Sequence, residues 1–434
     1  MHPPMRPLRL GLTTALLFAA VASGQVTNSD RFRGHTMVRS IRDEIRKFYY
    51  DPNFRGVDLD ARFAAADKQV DAATSNSQIF AIIAQALLEF DDSHLFFLPP
   101  ARAARVDYGW TYQAIGDKVY VTAVKPKSDA AAKGLKPGDQ LLDLDGFNPT
   151  RAEAWKLRYL YHALRPRQAV QVVVQNPEGK QFKFDVAAAV TQGKTRVDMT
   201  SDNDFWSAVR EQENERDLRS HRYTEVGDAF IWKMPQFDLD DHLVHEMIRK
   251  ANKYKSLILD LRGNGGGSAE TLQRLAGALL GDVKLGDLRK RKDEKPLNAK
   301  ASASTKFSGP LVVLIDSESA SSSEVLARVV QLEKRGTVIG DRSSGSVMES
   351  RFTTLQVGAD TIVRYGLSVT DADLIMNDGK SLEHTGVTPD ELLLPTAADL
   401  AAGRDPVLAR AAKLVSVDLD PQKAGTLFPV EWRK

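Results

Sequence analysis

Two short stretches of this chain carry residue types that could perform acyl transfer. Ser319-Ala320-Ser321-Ser322-Ser323-Glu324 sets hydroxyls on a turn of small residues, and Leu257-Ile258-Leu259-Asp260-Leu261-Arg262-Gly263-Asn264-Gly265-Gly266-Gly267 ends an apolar run in glycines. Each reads as a strand, a turn and the start of an amphipathic helix. A hydroxyl at a helix N-terminus has N–H groups around it that favour developing negative charge, as a nucleophile needs. Glycines allow backbone N–H groups to approach a ligand with no Cβ in the way, and such donors stabilise a tetrahedral oxyanion. A phosphate cradle would use similar glycines, but Gly-Lys-Ser/Thr and the spaced Gly-x-Gly-x-x-Gly are both missing. Ser321 with Glu324 also fits the Ser-x-x-Glu capping box, a purely structural role.

The elements that must position these residues follow from periodicity. From about residue 25 to 105 the pattern is helical. Ser75-Asn76-Ser77 can cap a helix whose Ile79, Ile82, Ile83, Ala86, Leu87 and Phe90 recur at helical spacing, ending at Asp91-Asp92-Ser93-His94. Asp91 and Asp92 are expected to hydrogen-bond that turn. Residues 106–192 alternate as strands do, with a helical stretch near Glu153–His162. Residues 193 to 221 read as a polar linker with a surface helix around 205–218. Beyond Ala229, strands alternate with helices expected at 240–252, 269–280 and 323–334, which predicts an α/β layer with a largely parallel sheet. Residues 284–308, charged and Lys-rich, read as a mobile loop inserted in this 193–434 core, and Asp405–Val415 as a terminal amphipathic helix.

Val124 to Gly146, with Ser128-Asp129-Ala130, Gly134-Leu135-Lys136-Pro137-Gly138-Asp139 and Asp145-Gly146, resembles the PDZ signature. The resemblance implies a β-sandwich-like domain over 106–192 that binds extended chain ends by strand addition, its carboxylate loop near Tyr108-Gly109-Trp110. The two turns in their order, with Ile339-Gly340-Asp341 and Glu383-His384-Thr385-Gly386-Val387-Thr388-Pro389-Asp390, resemble the C-terminal processing (tail-specific) and tricorn-core serine peptidases from about residue 77 to 415. That implies a multidomain α/β chain with a crotonase-like ββα core. It also implies Ser321 as nucleophile, with the N–H of Ser322 and of a glycine among Gly265, Gly266 and Gly267 as the oxyanion pocket. Tail-specific peptidases pair the serine with a lysine that follows a glycine; here Gly345 is followed by Ser346, which cannot serve as a base at neutral pH. The tricorn branch implies another arrangement, in which His94 is the base, Ser93 orients it and Glu383 completes the set. His94 can also be read as a structural histidine closing a helix, and Glu383 as a loop anchor.

Among 434 residues, 42% are hydrophobic, 27% are charged and the net charge is +2, so the chain has ample material for a core and no basic field for nucleic acid. Arg6 and Arg9 ahead of the apolar run Leu10–Ala20, then Val21-Ala22-Ser23-Gly24, predict a signal peptide over 1–24 and an exported protein, periplasmic or extracellular. No other segment is apolar enough for stable membrane insertion, and with no cysteine there is no disulfide or thiol chemistry. No metal or organic cofactor is expected: His242 and His245 sit on a helix beside Glu246 without a third ligand, and read as a solvated face. His384 is a minor candidate. The expected substrates are polypeptides with free or unstructured C-termini, with homo-oligomerisation left open. The alternative is a catalytically inactive PDZ peptide-binding pseudoenzyme.

Overall fold

A computed structural model describes residues 26–101, 104–192, 221–301, 306–358 and 362–432. The expected signal peptide and the expected surface helix around 205–218 lie outside them. The chain divides into two compact units. The first comprises residues 1–101, 152–167 and 349–372, and the second 102–151, 168–348 and 373–434. The helical N-terminal segment thus gathers two pieces that are distant in sequence, which the local pattern does not reveal.

In the first unit, helix α1 (Asn28–Phe48) opens on a Thr27/Asp30 capping box and buries Met37, Val38, Ile41 and Ile45. Asp58 caps α2 (Leu59–Asp71), and Ser75 caps α3 (Asn76–Leu88) as the spacing predicts. Ile79, Ile82, Ile83, Ala86 and Leu87 form the buried face of α3. Strand Phe96–Leu98 then pairs antiparallel with Gly366–Ser368. The expected helix near 153–162 forms as Ala154–Tyr159 and continues as one wider turn through Leu164; the Tyr159 hydroxyl donates to the Phe97 carbonyl.

The second unit contains an antiparallel sheet ordered β1 (Trp110–Ile115), β2 (Lys118–Val124), β3 (Gln140–Leu144), β4 (Ala169–Gln175), β5 (Gln181–Ala187). Its alternating residues Tyr112, Ala114, Val119, Val121, Val170, Val172 and Val174 turn inward. A six-stranded sheet follows, built from β6 (Arg222–Val226), β7 (Ala229–Lys233), β8 (Ser256–Asp260), β11 (Leu311–Ile315), β12 (Thr337–Gly340) and β13 (Glu391–Leu392). Its order is β13-β12-β11-β8-β7-β6, parallel except at β6. Every residue of β8 and β11 is buried, as expected of parallel strands covered on both faces. Leu257, Leu259 and Val313 share a core with helices α4 (Asp241–Ala251), α5 (Ala269–Leu280) and α6 (Ser322–Leu332). Ile258, Val312, Leu314 and Ile339 face the opposite way, onto α7 (Pro406–Leu414).

The inserted segment differs from its expectation. Residues 283–299 form an antiparallel hairpin of β9 (Val283–Lys290) and β10 (Glu294–Ala299), not a loop. Leu285 and Ala299 are buried in the core while Lys284, Arg289 and Lys295 stay outward. A charged run that alternates with apolar residues is a half-buried strand.

Candidate functional site

Strand β11 carries the chain into the turn 316–321, and Ser321 is the residue before α6. Its backbone holds φ 55 and ψ −122, a conformation sparsely populated by residues with a side chain. Its N–H donates to the Ser346 carbonyl at 2.8 Å and to Glu324 Oε2 at 3.0 Å. The other serines stitch this turn to the glycine turn after β8. Ser319 Oγ donates to the Leu261 carbonyl at 2.8 Å, Ser323 Oγ to that of Asn264 at 2.8 Å, and Ser322 Oγ to that of Gly267 at 3.1 Å. Asp316 joins them from the other side, its Oδ1 accepting the N–H groups of Gly263, Glu318 and Ser319.

The glycine turn fits against Ser321 because it lacks side chains. A Cβ at Gly266, where φ is 93, would lie 2.5 Å from the Ser321 Cβ and 2.9 Å from the Ala320 carbonyl oxygen. At Gly267 a Cβ would lie 2.3 Å from the Phe237 carbonyl oxygen. One expected donor is already committed: the Gly266 N–H bonds to Asn264 Oδ1 at 2.8 Å. Among the described residues, the N–H groups of Gly265 and Gly267 have no protein acceptor. The Ser322 N–H belongs to the first turn of α6, where no intrahelical acceptor exists.

Glu324 does more than cap a helix. It is fully buried, and its carboxylate accepts from Ser343 Oγ at 2.6 Å and from the N–H groups of Gly345, Ser346 and Ser321 at 2.7, 2.9 and 3.0 Å. Burial pushes its pKa up to about 7, against the pull of those four donors. Ser346 stands beside Ser321 with no titratable group; its hydroxyl shares a hydrogen bond with Ser344. The same loop holds Glu383, a buried residue whose Oε2 accepts the Val347 N–H at 2.9 Å. His384 follows in a left-handed conformation and donates its N–H to the Gly345 carbonyl at 2.7 Å. Ser321, Ser322, the glycine turn and Glu383 all lie in the second unit.

Ser93 and His94 lie in the first unit. Ser93 Oγ is 2.8 Å from His94 Nδ1. The turn beneath is anchored by Asp92, which accepts the N–H groups of His94 and Leu95 and the hydroxyls of Tyr49 and Thr370. Asp92 therefore holds the turn, as its sequence position predicts, while Tyr49 and Thr370 were invisible to local spacing. Burial lowers the His94 pKa below its ordinary value, and the charge of Asp92 opposes this.

The segment expected to hold a peptide carboxylate lies at the entry to β1. Tyr108 and Trp110 are buried, and Gly109 spends its N–H on Asp107 Oδ1 and its carbonyl on the Lys125 N–H. Of the histidines on α4, His245 faces Asp241 at 3.7 Å. Among the described residues no group of three or more His, Cys, Asp or Glu could hold a metal ion.

Comparison with known proteins gives a consistent result. Residues 231–393 match the description of peptidase family S41. The chain is 27% identical over 397 residues to tricorn protease homolog 2 of Streptomyces coelicolor, covering 85% of this chain and 31% of that protein. It is 25% identical over 334 residues to the tail-specific protease of Haemophilus influenzae, covering 73% of this chain and 46% of that one. The chain thus spans less than half the length of these curated relatives. Among solved structures, mature CPAF superposes with a TM-score of 0.64 at 16% identity, covering 86% of this chain and 94% of its own. The photosystem II D1 C-terminal processing protease gives 0.52 at 19% identity, covering 91% and 99%. These likenesses establish a mixed α/β fold of the S41 peptidase kind.

Proposed function

Because residues 231–393 form a peptidase family S41 domain, we propose that this chain is an exported serine peptidase whose nucleophile is Ser321. The single observation that carries this reading is the seating of Ser321. It holds a strained backbone at the start of α6, pressed against a glycine turn whose Gly265 and Gly267 N–H groups have no acceptor among the described residues. Ser321 Oγ attacks the scissile carbonyl, and the developing oxyanion is stabilised by the Ser322 N–H together with Gly265 or Gly267. His94 takes the hydroxyl proton and passes it to the leaving amine as the C–N bond breaks. Water then attacks the acyl carbon, giving its proton to the same imidazole, which returns it to Ser321 Oγ as the acyl–oxygen bond breaks and the acid product leaves. Ser93 orients His94 through Nδ1, and Glu383 supports the loop beside Ser321. That is the logic of a triad written with different residues.

Substrates in this reading are polypeptides with free or unstructured C-termini, and residues 106–192 are a PDZ module that engages them. Export follows from the leader at 1–24. The test is turnover of an unstructured polypeptide by the purified protein and by Ser321→Ala. Cleavage lost in the variant supports the reading, and equal cleavage by both overturns it.

One observation favours a second reading. Ser346 stands where tail-specific peptidases carry their lysine, so a chain that only binds peptides is the alternative. Peptide binding by the wild type with no cleavage at any pH would select it.

A further inference from the structure

We propose that Asn264 is a positioning residue that shapes the donor pocket of the glycine turn, an inference that rests on the acyl-transfer reading above. Asn264 is fully buried, and its hydrogen-bonding groups join three segments. Nδ2 donates to the Met234 carbonyl at 2.6 Å, just beyond β7. Oδ1 accepts the Gly266 N–H at 2.8 Å. Its carbonyl accepts both the Ala320 N–H at 2.9 Å and the Ser323 hydroxyl at 2.8 Å, on the nucleophile turn. Its own N–H closes back on the Leu261 carbonyl at 3.1 Å.

The chemical requirement is narrow. The site needs one donor and one acceptor on a short, planar group, so that the Met234 carbonyl and the Gly266 N–H are satisfied together. Asn supplies both; Asp lacks the donor, and Ser is too short to reach both partners. Taking up the Gly266 N–H has a consequence for reactivity. It leaves Gly265 and Gly267 as the donors of this turn without a protein acceptor among the described residues. Asn264 thereby decides which amides remain for an oxyanion, and its main-chain carbonyl sets the spacing between that turn and Ser321. Deleting the side chain strands a buried donor and a buried acceptor, and the turn must rearrange to satisfy them.

The experiment combines residue-resolved amide hydrogen exchange with steady-state kinetics on an unstructured polypeptide, using the full chain. In the wild type the Gly266 amide should exchange at least about tenfold more slowly than those of Gly265 and Gly267. In Asn264→Ala that difference should vanish, and kcat should fall by about 10²-fold with KM within about threefold, the signature of a displaced oxyanion pocket. Ser323→Ala leaves the Oδ1 bond intact and should keep the exchange difference. If Asn264→Ala does not fold, Asn264→Ser is read in the same way. Equal exchange of the three glycines in the wild type overturns the proposal whatever the variants do. So does an Asn264→Ala enzyme with wild-type kcat. A wild type that shows the exchange pattern but no turnover leaves Asn264 as the shaper of the turn and refutes the peptidase reading instead.

Discussion

His94 and Glu324 are both buried titratable groups, and burial moves them in opposite directions because it penalises the charged form of each. The His94 pKa is lowered, so the neutral imidazole that a base requires persists to lower pH than for an exposed histidine. Turnover should therefore fall on acidification through an apparent pKa below about 6.5, and stay level above it. A profile that climbs only above about pH 9 would point to a lysine. Glu324 has its pKa raised from 4.5 to about 7, so between these values the folded state binds a proton that the unfolded state has released. By linkage this contribution is greatest below pH 4.5 and is lost as pH rises toward 7. Glu324→Gln should remove that downward slope from a plot of Tm against pH. Equal slopes in both proteins would contradict the assignment. Local spacing identified Glu324 only as a cap. Its other partners, Ser343, Gly345 and Ser346, are about twenty residues onward, and no local rule reaches that far.

At the scale of elements, two strand–turn–helix units are pressed together at their turns. Their helices were legible because amphipathic spacing and caps agree: α5 spans Ala269–Leu280 as expected, and α6 begins one residue early, at Ser322. The contact between the turns was not legible, since it depends on β8 and β11 being neighbours in the sheet. Gly266 is where they meet, and Gly266→Ala tests the contact. The added methyl would meet Ser321 Cβ at 2.5 Å in a backbone region that disfavours side chains. The variant should lose about 1–3 kcal/mol of stability and at least about 10²-fold in kcat. Wild-type values of both would show that the turns are looser than described. The β9–β10 hairpin teaches the complementary lesson. Its charge density suggested a solvated loop, whereas Leu285 and Ala299 supply an alternating apolar face. Charge on one face says little about the other.

At the scale of the whole molecule, the second unit is more than the segment 231–393 that matches peptidase family S41. The five-stranded sheet is tied to the six-stranded one through specific groups. Gln113 Nε2 on β1 donates to Asp316 Oδ2 at 2.6 Å, and Arg151 meets Asp341 at 2.8 Å, with both side chains largely buried. The Gly116 N–H donates to the same Asp341 oxygen at 2.9 Å. Removing one partner of such a pair leaves a buried charge uncompensated. Arg151→Ala should therefore cost about 3 kcal/mol and open β1–β2 to limited proteolysis. An unchanged digestion pattern and Tm would mean that these groups contribute nothing to the joint. The motif signature over 124–146 indicated a discrete domain, yet it carried no sign of these links, because their partners lie about two hundred residues away. Nor did it show that 152–167 and 349–372 join the N-terminal helices. Chain order and spatial grouping part company wherever a segment is inserted into another unit.

The central claim, that Ser321 is a nucleophile activated by His94, is tested most directly by intact-mass labelling with a fluorophosphonate. Wild type, Ser321→Ala and His94→Ala should be compared at neutral pH, with peptide present to engage any substrate-dependent form. The account predicts one adduct on the wild type, none on Ser321→Ala, and labelling of His94→Ala slower by at least about 10²-fold. Labelling of Ser321→Ala at the wild-type rate, or of His94→Ala at that rate, would contradict it.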